Sequence, residues 1–256
     1  MSKTRLKILT AGFLFIASIV FSIFLSSTAL ANHSWGGYHW ARTANPFTVK
    51  LGNNVSSVWN PILSTTFNDW SQSTVLDTTI VNGGTKARNC RPTLGRVEVC
   101  NAKYGNNGWL GIAQIWASGL HIVQGITKVN DTYFNTATYN TTAWRNLVMC
   151  QEVGHTLGLD HQDENFNNSN MGTCMDYTNN PDSNQHPNQH DYDELELIYS
   201  HLDLTNTISQ TLFPVQGNLD NPTEWGKLVK KQGRVAVFER NFGLGNKLFT
   251  FVIYAD

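Results

Sequence analysis

Apolar and polar positions change period several times along the chain, and each change marks an element. Phe47, Val49 and Leu51 alternate with Thr48 and Lys50, the period of a half-buried strand. From about Val55 to Trp70 the apolar positions, Val58, Ile62 and Trp70 among them, recur at helical intervals. Val75 to Val81 is β-branched and ends at Asn82-Gly83-Gly84, a turn. Arg96 to Cys100, Trp109 to Trp116 and Ile122 to Asn130 are three more strand-like runs, divided by Gly- and Asn-rich turns. Thr141 or Thr142 then caps a helix that runs through Trp144, Leu147, Val148 and Val153 to Gly158. A polar loop from about Gln162 to Gln189 follows, after which Tyr192, Leu195, Tyr199 and Leu202 mark a second amphipathic helix. Beyond Leu212 the chain is β-rich, with Val235-Ala236-Val237 and Leu248 to Tyr254 on either side of a Gly243-Leu244-Gly245-Asn246 turn. The pattern predicts an α+β fold: a mixed, twisted sheet of about five strands, a long central helix and a later helix over residues 32–204. Residues 205–256 form a β-rich extension, read as a small hairpin appended to that domain.

The first 31 residues read differently. Lys3, Arg5 and Lys7 precede an apolar stretch from Ile8 to Leu25, then Ser26, Ser27, Thr28 and Ala29-Leu30-Ala31. This is the order of a secretory signal, with small residues where signal peptidase cuts, so cleavage is expected after Ala31. The competing reading is an uncleaved membrane anchor, since the stretch is just long enough to span a bilayer. Cleavage predicts a secreted, extracellular protein with no membrane association. About 15 residues would then separate the new N-terminus from Phe47, too few for a folded latency propeptide.

Only 14% of residues are charged, and 41% are hydrophobic, which fits a packed core and excludes charge-driven disorder. No basic run follows Lys7, so nothing is present to neutralise a nucleic-acid backbone. The cleaved chain would carry 15 Lys+Arg (18 − 3) against 19 Asp+Glu, a formal −4. Export also implies an oxidising compartment. Cys90, Cys100, Cys150 and Cys174 are even in number and contain no Cys-x-x-Cys pair, so two disulfides are expected rather than a zinc knuckle. Of the three pairings, proximity favours Cys90 with Cys100, which leaves Cys150 with Cys174.

The chemistry concentrates in Cys150-Gln151-Glu152-Val153-Gly154-His155-Thr156-Leu157-Gly158-Leu159-Asp160-His161. Positions 151 and 155 share one helix face a turn apart, so both side chains can point at one metal ion. Gly158 tolerates the positive φ that would turn the chain and bring His161 round as a third ligand. Glu152 would stand beside the ion, where its carboxylate can accept a proton from a water activated by Zn²⁺.

This segment resembles the signature of the metzincin zinc peptidases, His-Glu-x-x-His-x-x-Gly-x-x-His, and Gly154 leans towards the matrixin branch. Thr173-Cys174-Met175-Asp176-Tyr177 is similar to the Met-turn of that clan, with Met175 as its methionine. Asp191 to Leu202 resembles the helix that follows it, and the resemblance covers most of residues 45 to 203. It implies a Zn²⁺ cofactor, a protein or peptide substrate, Glu152 as general base and a monomer. Cys150–Cys174 would tie the residue before Gln151 to the residue before Met175, as a Met-turn packed under the helix requires. Tyr177 stands where a tyrosine binds the zinc or the oxyanion in the astacin and serralysin branches.

The first ligand of the signature is His, and here it is Gln151, a weaker donor; secreted bacterial matrixin-like proteins with the same Cys-Gln-Glu-Val-Gly-His core look similar. Three readings stay open. Gln151 ligates through Oε1, or Asp160, His186, His190 or Tyr177 fills the place, or the site is inactive. Asp163, Glu164, Asp176 and Asp182 are oxygen donors for a structural Ca²⁺. The expected function is a secreted zinc endopeptidase. The alternatives are an inactive binding or structural module on the same scaffold and a non-peptidase hydrolase.

Overall fold

His39 and Trp40 form the short strand β1, and the alternating run after it becomes β2 (Phe47–Asn54), with Phe47, Val49 and Leu51 buried and Thr48 and Lys50 facing outward. The structure is a computed structural model and describes residues 33–208 and 221–255. The signal-peptide expectation lies outside the described residues. Further elements are α1 (Asn60–Trp70), β3 (Leu76–Asn82), β4 (Val97–Ala102), β5 (Trp109–Ser118), β6 (His121–Asn130) and the one-turn helix α2 (Asp131–Phe134). Then come α3 (Thr142–Thr156), α4 (Gln189–Ile198), β7 (Lys227–Gln232), β8 (Val235–Gly243) and β9 (Asn246–Tyr254). No helix among the described residues is long and apolar enough to cross a membrane.

The fold is α+β on a mixed sheet of nine described strands rather than about five, in the order β3-β2-β4-β6-β5-β9-β8-β7, with β1 beside β6. β3, β2, β4 and β6 are parallel, and β5, β9, β8 and β7 continue antiparallel. The C-terminal strands are therefore not an appended hairpin. β9 pairs along β5 from Ser118↔Asn246 to Trp109↔Tyr254 and covers an edge that would otherwise be exposed. This is why β5 reads as an apolar run broken only by Gln114, whose amide donates to Thr250 of β9: Trp109 to Ala117 is buried throughout, with both faces and both edges covered. β7 escapes the sequence pattern because its lysines suit an exposed outer edge.

Two helix boundaries differ from the periodicity. Val58 is exposed because α1 begins only at Asn60, with Pro61 in its first turn. Leu202 is exposed because α4 ends at Ile198. α3 follows the reading closely: Thr141 Oγ1 accepts a hydrogen bond from Trp144 N at 3.2 Å, and every residue from Trp144 to Thr156 is buried. It crosses the sheet against β5 and β6. The disulfides are Cys90–Cys100 and Cys150–Cys174, with Cα separations of 5.9 and 6.0 Å.

Candidate metal centre

α3 ends one residue before Leu157, and Gly158 takes φ +102°. A side chain there would meet the Tyr38 carbonyl at 2.4 Å, so conformation and close approach both require glycine. The turn brings His161 back over His155. Their Nε2 atoms lie 3.1 Å apart, and the residues are 1% and 5% exposed.

The outer nitrogens of both rings are held. His155 Nδ1 meets the Leu159 carbonyl at 2.9 Å, which can only accept, so the proton sits on Nδ1 and the Nε2 lone pair faces His161. His161 Nδ1 lies 3.2 Å from Asp160 Oδ1 and 2.9 Å from the Tyr177 hydroxyl. Burial, then the neighbouring ring, lowers the His155 pKa well below the ordinary value. Burial also lowers that of His161 against the pull of Asp160. Neutral imidazoles with a carbonyl and a carboxylate behind them are the form a metal takes. Two nitrogens bound at about 2.0–2.1 Å in a tetrahedron stand about 3.3 Å apart, close to the observed separation. The pair fits Zn²⁺.

Gln151 is buried, and its Nε2 donates to the Cys174 carbonyl at 3.0 Å, which leaves the amide oxygen as the end available to a ligand. Glu152 is also buried. One of its carboxyl oxygens takes a backbone hydrogen bond from Ala113 of β5, and Oε2 has no partner. Burial pushes its pKa well above the ordinary carboxylate value. Gly111 on β5 makes room for it, since a side chain there would lie 2.8 Å from Glu152 Oε1. Met175, fully buried, packs under α3: a Cβ on Gly154 would stand 2.7 Å from its Sδ and 2.8 Å from Trp70 Cζ2.

Of the other candidates, Tyr177 and Asp160 touch the His161 ring on its Nδ1 side, and His186 and His190 bind elsewhere. The Tyr177 hydroxyl bonds Nδ1 of His161, the far side of the ring from the Nε2 pair, so it orients that ring and does not face the pair. Asp160 caps the His161 backbone with Oδ1, while Oδ2 pairs with Lys230 Nζ at 2.7 Å. Burial opposes that charge, but His161 and Lys230 together hold the Asp160 pKa far below the ordinary range. His186 turns to Asp69 at 2.8 Å, and His190 stacks on His33. The four suggested Ca²⁺ donors are not gathered into one group: Glu164 stands with Asp160 and His161 and pairs with Lys230, Asp163 binds Asn165 N and Asn168, Asp176 binds Met171 N and Asn184, and Asp182 is exposed.

Two contacts have no local signal in the sequence. Phe251 of β9 stacks on the His155 ring, and Lys230 of β7 closes over Asp160 and Glu164. Both come from the C-terminal strands, and no spacing relates those residues to α3. No family model matches the chain, and no curated protein does.

Proposed function

We propose that the chain is a zinc-dependent endopeptidase of metzincin type, in a form whose centre is closed by its own C-terminal strands. The observation that carries the reading is the pair of buried Nε2 atoms, 3.1 Å apart, with both outer nitrogens already engaged. The resemblance to the metzincin signature and to a Met-turn supports it. So do the packing of Met175 against Gly154 and the Cys150–Cys174 bridge beside Gln151.

His155 and His161 would hold Zn²⁺, with Gln151 Oε1 as the third donor. A bound Zn²⁺ supplies Lewis acidity and lowers the pKa of water towards 7. Glu152 is the general base of this reading. A buried carboxylate with an unpartnered oxygen costs stability, and its raised pKa makes it a stronger base nearer neutral pH. Leu159, Asp160 and Tyr177 orient the two rings. Substrate reaches the centre only after β7–β9 move, because Phe251 covers His155 and β9 occupies the edge of β5. That same burial favours one competing reading, a purely structural metal site. Export and the disulfide bonds suit an extracellular setting.

The test is zinc content and peptidase activity of the full chain and of its Phe251→Ala variant, which removes the ring that covers His155. Activity that appears or rises in Phe251→Ala and is absent when Glu152→Ala is added supports the enzyme. Zinc bound with no activity in either protein supports the structural site.

A further inference from the structure

The parallel pairing of β1 with β6 sets His39 directly beside His121 in register, ring centroids 5.0 Å apart. A third segment reaches the same place after α4: Asp203 N donates to the Arg42 carbonyl at 2.9 Å, and Thr207 N to that of Ala41 at 3.0 Å. This brings His201 and Asp203 onto the two imidazoles. Asp203 Oδ1 lies 3.2 Å from His121 Nε2, 3.4 Å from His39 Nε2 and 3.7 Å from His201 Nε2. His201 Nε2 and His39 Nε2 are 3.2 Å apart. The other carboxylate oxygen, Oδ2, is taken by Arg42, 2.8 Å from Nη1 and 3.2 Å from its backbone N.

His39 decides what this cluster is for. Its Nδ1 meets the Gly37 carbonyl at 2.8 Å, so the neutral ring carries its proton there and turns a bare Nε2 towards Asp203. Proton sharing within the cluster, His201 to His39 and His121 to Asp203, still leaves His39 Nε2 and Asp203 Oδ1 facing each other as two acceptors at 3.4 Å. A cation bound by lone pairs removes the conflict. His39, His121 and Asp203 offer ligand atoms all within 4.8 Å of one another, and the separations of Asp203 Oδ1 from the three rings and of His201 from His39, 3.2–3.7 Å, bracket the edge of about 3.3 Å expected in a tetrahedron of nitrogen and oxygen ligands around zinc.

We propose that His39, His121, His201 and Asp203 form a second metal site that binds Zn²⁺ with four protein ligands. Three imidazoles and one carboxylate suit zinc rather than the oxygen-preferring Ca²⁺ or Mg²⁺. A closed ligand set makes the site structural. It staples β1, the start of β6 and the chain beyond α4, three segments far apart in sequence, so its binding energy adds to folding stability. It stands independently of His155 and His161.

The test uses the full chain carrying His155→Ala and His161→Ala, which isolates the second site. Zinc titration and elemental analysis should still find one ion per chain, and Co²⁺ should give the visible absorption of four-coordinate nitrogen and oxygen ligation. Adding His121→Ala and His201→Ala, the two most exposed ligands, removes half the ligand set. Affinity should fall by more than about 100-fold, the upper end of what losing a mere supporting contact costs. Chelator should lower the melting temperature before those two changes and have no effect after them. No bound zinc in the starting variant would overturn the site, as would zinc binding unchanged by His121→Ala and His201→Ala in a chain that keeps its circular dichroism.

Discussion

Phe251 of β9 lies flat on the imidazole of His155, ring centroids 4.3 Å apart and planes 11° from parallel. The pairing of Phe251 with Ala113 in the β5–β9 ladder sets that contact. The last strand of the chain therefore completes the wall of the histidine pair.

Phe251→Ala should open that wall. Removing a fully buried ring costs about 3 kcal/mol or more, read as a lower urea midpoint at unchanged slope. In zinc-loaded protein, chelator should extract the ion from the His155–His161 centre faster than from the wild type. An unchanged extraction rate would mean that β9 does not gate the centre.

Gln151→His should strengthen zinc binding, because an imidazole leaves the same helix face as His155 and is the better donor. An increase of about tenfold or more in affinity is expected from the ligand change. Activity should hold or rise, while Glu152→Ala removes it. Zinc affinity that fails to rise would reject Gln151 as a weak ligand.

Glu152→Gln couples chemistry to stability. Burial raises the Glu152 pKa, so its favourable contribution is complete below the unfolded value of about 4.3 and is lost as pH rises through the folded value. Metal-stripped wild type should lose stability across that interval. Glu152→Gln should show a flatter profile and a higher melting temperature at neutral pH, with no peptidase activity. Parallel melting profiles for the two proteins would contradict the assignment.

At Gly154 two effects oppose each other. Helix propensity favours Ala by about 1 kcal/mol. The new methyl, however, would meet Met175 Sδ at 2.7 Å and Trp70 Cζ2 at 2.8 Å inside the core. Overpacking should win by about 1–3 kcal/mol, so Gly154→Ala is expected to destabilise in chemical denaturation. A more stable variant would show that Met175 is free to move away.

Tyr177→Phe separates positioning from direct participation. If the hydroxyl only orients His161 through Nδ1, zinc affinity should fall by about tenfold while kcat at saturating zinc changes little. A loss of about 100-fold or more in kcat at full zinc occupancy would instead identify an oxyanion donor.

What the sequence determined is what lies close along the chain. The Thr141 cap, the span of α3, the left-handed Gly158 and the return of His161 to His155 all follow from spacing within about one element. Both disulfides are also legible, since four cysteines allow three pairings and proximity favours Cys90 with Cys100. Tertiary structure decided everything that depends on which surfaces meet. The Leu248–Tyr254 run reads as a strand, yet nothing in it says that β5 offers the edge it fills. Tyr177 could be placed near the centre by analogy, but only packing puts its hydroxyl on Nδ1 rather than beside Nε2. His39, His121, His201 and Asp203 carry no motif at all, because their spacing reflects sheet register and chain crossing rather than a turn of helix. Period encodes the local geometry of a segment. The pairing of remote edges and faces is settled by how well the whole set of surfaces buries together.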